Sequence, residues 1–426
     1  MRFLTGVWGG TRMNLLVITQ MYSQPDDMGD NKPTKTVNYF VKEWVAAGHK
    51  VVVMHCPSKF PFLYYVIPKR IKEKYANRIS TMVPSARSRK KLNYMECGAK
   101  VYRYPMLKLY PGAGYSKFSM KRQMRRIIWE LQKQEFRPDL VIGHFANPSA
   151  ELVARVAWYY HAGSSIVFHQ DCSKKNIQKY HLDCLVKKIG AIGARSELEA
   201  KVIKRDLNLS KLPFLCRSGV PNDAVETAVR LVEKHCNTDG FRFLYVGSFI
   251  KRKHLDKVID AFSQFCKVAN DRKSTLDIIG GGPEKEEIDR LVKRSWARGQ
   301  ITLLGRRERA EVLQYMRKSH IFTLISDGET YGMVYMEAML QGCLVIASKG
   351  GGFDGMIQDG VNGFLCKPGD TEMLLEIYNR IALMTAKEKN QIGQNGVNMA
   401  MNYSEKEVAE RYLNEVIKEN TAGSPY

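Results

Sequence analysis

The sequence predicts an α/β protein made of two doubly wound parallel-sheet domains facing across a cleft. Three observations lead there. A length of 426 residues is enough for two or three domains, each with its own core. Short β-branched runs alternate with amphipathic helical ones, the pattern of parallel sheets covered by helices. The series then restarts after a polar link around residues 233–240, so the same architecture is used twice without a repeat of sequence.

In the first half the apolar runs predict strands at Asn14–Thr19, Lys50–His55, Lys100–Tyr104, Leu140–Gly143, Ser165–His169, Ala191–Ala194 and Phe214–Arg217. Helical patterns fall between several of them, at Lys35–Ala47, Lys121–Gln134 and Ala150–His161. The second half predicts strands at Phe241–Val246, Thr275–Ile279, Ile301–Leu304, Ile321–Ile325 and Leu344–Ser348. Its helices are expected at His254–Val268, Glu284–Ala297, Arg309–Lys318, Val334–Gln341, Met373–Met384 and Lys387–Met401. A last helix, Glu405–Lys418, follows Ser404, a residue suited to cap it. The expected boundaries are 13–218 for the first domain, 219–402 for the second, and 403–426 for a helix that crosses back to the first.

Composition narrows the class. No run of 18 apolar residues is present, which excludes a helix spanning a membrane. Residues 1–12 have too short an apolar stretch for a secretory signal, and Met13 opens the first convincing strand, so they read as an extension or an upstream start. Nine cysteines lie scattered with no C-x-x-C pair, which favours a reducing cytosol over a disulfide framework or a zinc site. The net charge of +23 is concentrated: from Lys59 to Arg126 the chain carries 18 Lys/Arg against two acids, Glu73 and Glu96. Such density favours phosphates on a substrate, a lipid headgroup or a nucleic acid. Here aromatics join the cations in KFPFLYYVIPKRIKEKYANR, which suits an anionic membrane surface. No RNA- or DNA-binding motif accompanies it, so no nucleic-acid partner is expected.

Open parallel sheets bind ligands beyond the carboxyl ends of their strands, so chemistry is sought in the following loops. The richest is IFTLISDGETYGMVYMEAMLQGCLVIAS, Ile321 to Ser348, where Glu329 and Glu337 flank a glycine turn and a helix start. Free N–H groups at Gly332-Met333-Val334 and the helix dipole suit a phosphate. Glu337 lies among apolar neighbours, and a buried carboxylate needs a partner.

With VGSFIKRKHLDKVIDAF, LDIIGGGPEKEEI, ITLLGRR and DGVNGFLCKPGD in the same order, this segment resembles family 4 glycosyltransferases of the GT-B fold, of the bacterial polysaccharide-biosynthesis type. The resemblance is continuous from Phe241 to Asp370 and weaker before it. It implies two Rossmann-like domains and retaining transfer of a hexosyl unit from a nucleotide sugar, a UDP-sugar, to a lipid-linked glycan acceptor in cell-surface polysaccharide or capsule biosynthesis. It also implies front-face attack, in which the donor phosphate helps take the acceptor proton. The protein would work in the cytoplasm, peripheral on the inner face of the membrane, bound through the Lys59–Arg126 region.

The resemblance further implies roles. Lys253 would meet the donor diphosphate, with Gly332, Met333 and Val334 presenting the helix start. Glu337 would hold the ribose, and Glu329 would sit against the donor sugar. Gly305 and Arg306 would neighbour the base, and Ile278–Pro283 would form the glycine turn near the nucleotide. Ser248 stands where the family has an arginine, so that part of the clamp is missing or comes from Arg252 or another basic residue. In the first half, His169 resembles the histidine that touches the donor sugar or its phosphate, and His144 is a second candidate. Gly29 alone matches the family's Gly-Gly loop. Asp26, Asp27 and Asp30 lack a metal-ligand pattern, so neither an obligatory metal nor a cofactor is expected. Rivals are a sugar-nucleotide epimerase, a phosphorylase, for which no pyridoxal-phosphate lysine site is identifiable, and a non-catalytic membrane-binding scaffold. Retention of both Glu329 and Glu337 argues against the last.

Overall fold

The structure, a computed structural model, describes residues 12–22, 36–68, 90–169, 171–228, 240–268, 270–328, 332–353 and 355–422. The contacts divide the chain into two compact units. One comprises the chain up to Arg195, Glu199–Arg217 and everything from Val408; the other comprises Ser196–Leu198 and Ser218–Glu407. Helix Glu405–Thr421 therefore starts in the second unit and has Val408 onward in the first. Ser404 caps it, accepting the Glu407 N–H at 3.0 Å.

The first unit is built on an eight-stranded sheet. Its strands are β1 (Asn14–Thr19), β2 (Lys50–His55), β4 (Leu92–Glu96), β5 (Ala99–Arg103), β7 (Leu140–His144), β8 (Gly163–Val167), β9 (Ala191–Ala194) and β10 (Phe214–Leu215). A separate short pair joins β3 (Ser58–Lys59) to β6 (Met106–Leu107). The order across the sheet is β10-β9-β8-β7-β1-β2-β5-β4, and every pair is parallel except β4 with β5. From β1 the chain builds outward through β2, then returns to lay β7 on the other side of β1. That reversal is the crevice where such sheets take ligands, at the ends marked by Thr19 and its register partner His144. The C-terminal helix completes this core. Tyr412 packs against Phe40, Trp44 and Phe214, and the Trp44 indole N–H donates to the Ala409 carbonyl at 3.0 Å.

The second unit carries a six-stranded parallel sheet of β11 (Arg242–Ser248), β12 (Thr275–Gly281), β13 (Ile301–Gly305), β14 (Ile321–Leu324), β15 (Leu344–Ser348) and β16 (Phe364–Cys366). Its order is β13-β12-β11-β14-β15-β16, so the reversal falls between β11 and β14. Helix Leu255–Val268 covers one face because Leu255, Val258, Ile259, Phe262, Phe265 and Cys266 recur on one side and are all buried. Phe243 of β11 meets Phe262, Phe265 and Tyr378 edge-on, and the Tyr378 hydroxyl donates to Thr323 Oγ1 at 3.1 Å. Helix Met333–Leu340 is apolar nearly all round, with Tyr335, Met336, Ala338, Met339 and Leu340 buried.

Two differences from the sequence expectations bear on function. Strand β8 ends at Val167, so His169 lies two residues past the strand rather than closing it. Strand β11 runs on through Gly247 and Ser248, paired with Gly280 and Gly281, where a strand ending at Val246 and a free glycine turn are expected. The reason is steric. A Cβ on Gly280 would sit 1.9 Å from the Gly247 carbonyl oxygen, and one on Gly282 would sit 2.5 Å from that of Phe249. Only bare backbone lets the two chains approach that closely, and the ladder continues because nothing separates them.

Candidate functional site

In the second unit the reversal between β11 and β14 gathers most of the expected residues. From Ser248, the exposed last residue of β11, the chain passes into a short 3₁₀ turn, Lys251–Lys253. The following helix begins at Leu255, one residue later than expected. Arg252 is exposed and Lys253 half-buried. The turn is pinned to the loop after β14: the Asp327 N–H donates to the Arg252 carbonyl at 2.7 Å, and the Arg252 guanidinium donates to the Asp327 carbonyl at 3.2 Å. His254 Nε2 lies 2.7 Å from Asp327 Oδ2. Gly332, in the left-handed conformation with φ 67°, precedes helix Met333–Leu340, and Met333 and Val334 form its half-buried first turn. The backbone N–H groups of such a first turn lack helical partners and carry the positive end of the helix dipole.

Glu337, one turn further on, is largely buried, and its Oε1 accepts from Arg309 Nε at 2.8 Å. Arg309 is the first residue of helix Arg309–Lys318, so this bond ties the exit of β13 to the helix that follows β14. Gly305 ends β13 at φ 70°, with open space where a side chain would stand. Arg306 is exposed, and its side chain passes over Gly281. The arrangement offers cations, helix-start N–H groups and a carboxylate along one edge of a parallel sheet, which suits a polyanion carrying a diol. Glu329 and Gly29 lie outside the described residues, as do Asp26, Asp27 and Asp30.

The first unit supplies a histidine pair. His144, fully buried at the end of β7, places Nδ1 3.0 Å from His169 Nε2, while the Tyr412 hydroxyl lies 3.4 Å from its Nε2. His169 stacks on Phe145 with ring centres 4.1 Å apart. Asp171 fixes the backbone here, accepting the N–H of His169 at 2.9 Å and also that of Ala146. Burial pushes His144 down to about 3, and the nearby Arg195 guanidinium adds to the effect. Burial, Arg195 and His144 likewise hold His169 well below the ordinary histidine value. Both rings are therefore neutral, able to exchange hydrogen bonds with a hydroxyl but not to act as cations. Burial raises Asp171 above its ordinary value, against three backbone N–H groups, those of His169, Ala146 and Asp171 itself, that lower it. Arg195 is itself held by its Nη1 contact with the Cys216 carbonyl at 2.6 Å.

Among known proteins, the family model of glycosyl transferases group 1 matches residues 232–399. The chain has the GT-B fold. Its backbone superposes on the crystal structure of Anabaena HepE in complex with UDP with a TM-score of 0.63, covering 94% of this chain and 99% of that one at 15% identity. In sequence it is 32% identical over 128 residues to N-acetyl-alpha-D-glucosaminyl L-malate synthase of Bacillus anthracis, which is 30% of this chain and 32% of that enzyme. It is 33% identical over 154 residues to alpha-monoglucosyldiacylglycerol synthase of Acholeplasma laidlawii, 36% of this chain and 38% of the relative. The matches thus span well under half the length of these curated relatives. The residues that the family model matches fall within the second unit.

No site role was expected of Arg309, His254, Asp327, Asp171 or Tyr412. Arg309 was legible only as a helix start, and its pairing with Glu337 depends on two helices packing side by side. His254 and Asp327 are 73 residues apart and meet because β11 and β14 are neighbours.

Proposed function

We propose that the protein is a retaining glycosyltransferase that moves a hexosyl unit from a UDP-sugar to a lipid-linked glycan acceptor at the inner face of the cytoplasmic membrane, in cell-surface polysaccharide biosynthesis. The observation that supports it is the sheet reversal of the second unit, where the turn carrying Lys253 and the helix carrying Met333 and Glu337 follow the adjacent strands β11 and β14, within the stretch matched by the family model of glycosyl transferases group 1. In this reading Lys253 and the helix start take the diphosphate, and Arg252 supplies the charge missing at Ser248. Glu337 accepts the ribose hydroxyls, a task a carboxylate performs well. Gly305 and Arg306 border the base. Glu329 faces the donor sugar, the neutral His169 exchanges a hydrogen bond with it, and Gly29 belongs to the loop over the diphosphate. Growing charge on the leaving diphosphate is met by fixed cations and helix N–H groups, so no metal is obligatory.

UDP as donor nucleotide is supported by the likeness to UDP-bound HepE, and a lipid acceptor by the similarity to alpha-monoglucosyldiacylglycerol synthase. The basic stretch adds a membrane-facing surface. Phe62, Leu63, Val66, Leu109 and Phe118 are each more than 60% exposed amid the Lys59–Arg126 cations. The parallel pairing of β3 with β6 sends helix Phe62–Val66 and the segment after Leu107 off the same edge. No described helix is long and apolar enough to cross a membrane.

The test is a panel of nucleotide sugars with lipid-diphosphate acceptors, run with and without EDTA, with Glu329→Gln as control. Transfer by wild type, resistant to EDTA and lost in the variant, is expected. Equal transfer by both proteins sinks the role of Glu329, dependence on added metal sinks the metal-free site, and no turnover on any donor sinks the function.

A further inference from the structure

We infer that Asp327 and His254 form a latch that positions the Lys253 turn for the donor diphosphate. The inference rests on the nucleotide-sugar reading of the second unit. A lysine binds phosphate as a point charge on a flexible stem, so its value depends on a backbone that holds the stem in place. Here the backbone is a single 3₁₀ turn of three residues, too short to be rigid by itself. Its end is His254, which sits in the left-handed region at φ 49°, where residues other than glycine, asparagine and aspartate are disfavoured. That conformation persists because the surroundings hold it.

Three contacts do so. The imidazole Nε2 meets Asp327 Oδ2 at 2.7 Å, and Arg252 takes the Asp327 N–H on its carbonyl while its guanidinium donates to the Asp327 carbonyl. The imidazole also lies flat against Gly369, where a Cβ would stand 3.0 Å from the ring. Gly369, in the loop after β16, in turn donates its N–H to the Ile325 carbonyl at 3.4 Å, so the ring lies between the loop after β14 and the loop after β16, which are themselves joined. Asp327 is 62% exposed, and a polar contact that open to water adds little to stability. Its effect is geometric: it fixes the turn carrying Lys253 to the loop that leads, two residues later, to Glu329. Asp327 and His254 are positioning residues and touch no substrate themselves.

The experiment is calorimetric titration of UDP, ADP and GDP, each against its own nucleoside, with wild type, Lys253→Ala, Asp327→Ala, Asp327→Asn and the Lys253→Ala/Asp327→Ala double variant. Wild type should prefer one nucleoside diphosphate over its nucleoside, and Lys253→Ala should reduce that preference. Asp327→Ala should reduce it about 5- to 10-fold without changing nucleoside affinity, and add nothing to Lys253→Ala, because coupled residues are not additive. Asp327→Asn keeps an acceptor for the imidazole and should retain most of the preference. His254→Gly, which tolerates the same backbone and removes the ring, should repeat the Asp327→Ala loss, and it serves if melting shows Asp327→Ala unfolded. Equal loss of nucleoside and diphosphate binding in Asp327→Ala, or full additivity with Lys253→Ala, overturns the latch while leaving the nucleotide site standing. An unchanged preference in Lys253→Ala, or no nucleotide binding by wild type, overturns the site itself.

Discussion

Replacing Glu337 by glutamine tests the ribose assignment at nearly constant volume. In the structure the carboxylate is largely buried, with its side chain 16% exposed, and one oxygen already accepts from Arg309 at 2.8 Å. Arg309 is 46% exposed, so the pair is screened and its loss should lower stability by only about 0.5 kcal/mol. Binding should suffer more. A hydrogen bond to a charged acceptor contributes roughly 1.5–3 kcal/mol, against about 0.5–1.5 for a neutral one. Two ribose hydroxyls would lose that difference, but Arg309 already neutralises part of the charge, leaving about 1–2 kcal/mol, or roughly 5- to 30-fold in Kd. Calorimetric titration with UDP reads this directly. The same titration with the 2′,3′-dideoxy nucleotide should show almost no difference between Glu337→Gln and wild type, because the missing hydroxyls are the ones at issue. An equal penalty with both ligands would mean that the substitution disturbs the helix rather than the ribose contact. No penalty with either would remove Glu337 from the site.

Further outcomes follow from the same geometry. Gly280→Ala places a Cβ 1.9 Å from the Gly247 oxygen and 2.9 Å from the Phe249 ring, so it should cost about 3 kcal/mol or more and lower Tm by several degrees; Gly299→Ala, where no atom lies within 4 Å, is the matched control. His144 and His169 are held below the ordinary value of 6.5, so the folded state binds fewer protons than the unfolded one. The stability they confer is complete above about 6.5 and is lost as pH falls from there toward about 3, so His144→Gln should flatten the fall of Tm between pH 7 and 4; an unchanged slope would place the acid sensitivity elsewhere. Replacing both Phe62 and Leu63 by serine should weaken sedimentation with anionic vesicles at least about tenfold, and salt should weaken it in wild type; binding indifferent to both would dismiss the membrane surface.

Much of the scaffold was legible because local signals and tertiary demands agree. Asn14–Thr19, Lys50–His55, Ala191–Ala194, Leu344–Ser348 and helix Arg309–Lys318 fall where the apolar patterns place them. The departures have physical causes. Gly280 and Gly281 look like a turn because glycine disfavours strands, yet the close approach of two backbones extends the ladder through them. The short pair Ser58–Lys59 with Met106–Leu107 has too few residues to show a period, and the edge strand Leu92–Glu96 is mostly exposed and pairs antiparallel. For the proposed site, residue types in loops after strands pointed to Lys253 and the Met333 helix start, and the family resemblance gave them and Glu337 their expected roles. What joins them to Arg309 and Asp327 is strand order and helix packing, information that no local pattern holds. His144 was a weaker candidate than His169 in the sequence, although the fold makes them one hydrogen-bonded unit.

The division of helix Glu405–Thr421 bears on how the chain is synthesised. Tyr412 fills the space among Phe40, Trp44 and Phe214 and reaches toward His144, yet it lies some two hundred residues beyond the rest of that sheet's strands. During translation the first unit stands with an aromatic socket open while the whole second unit is made. A chain ended after Arg217 leaves that socket exposed, whereas the second unit, with its strands consecutive from β11 to β16, has its sheet complete long before the last helix emerges. The strands of the second unit are therefore all made before the helix that completes the core of the first.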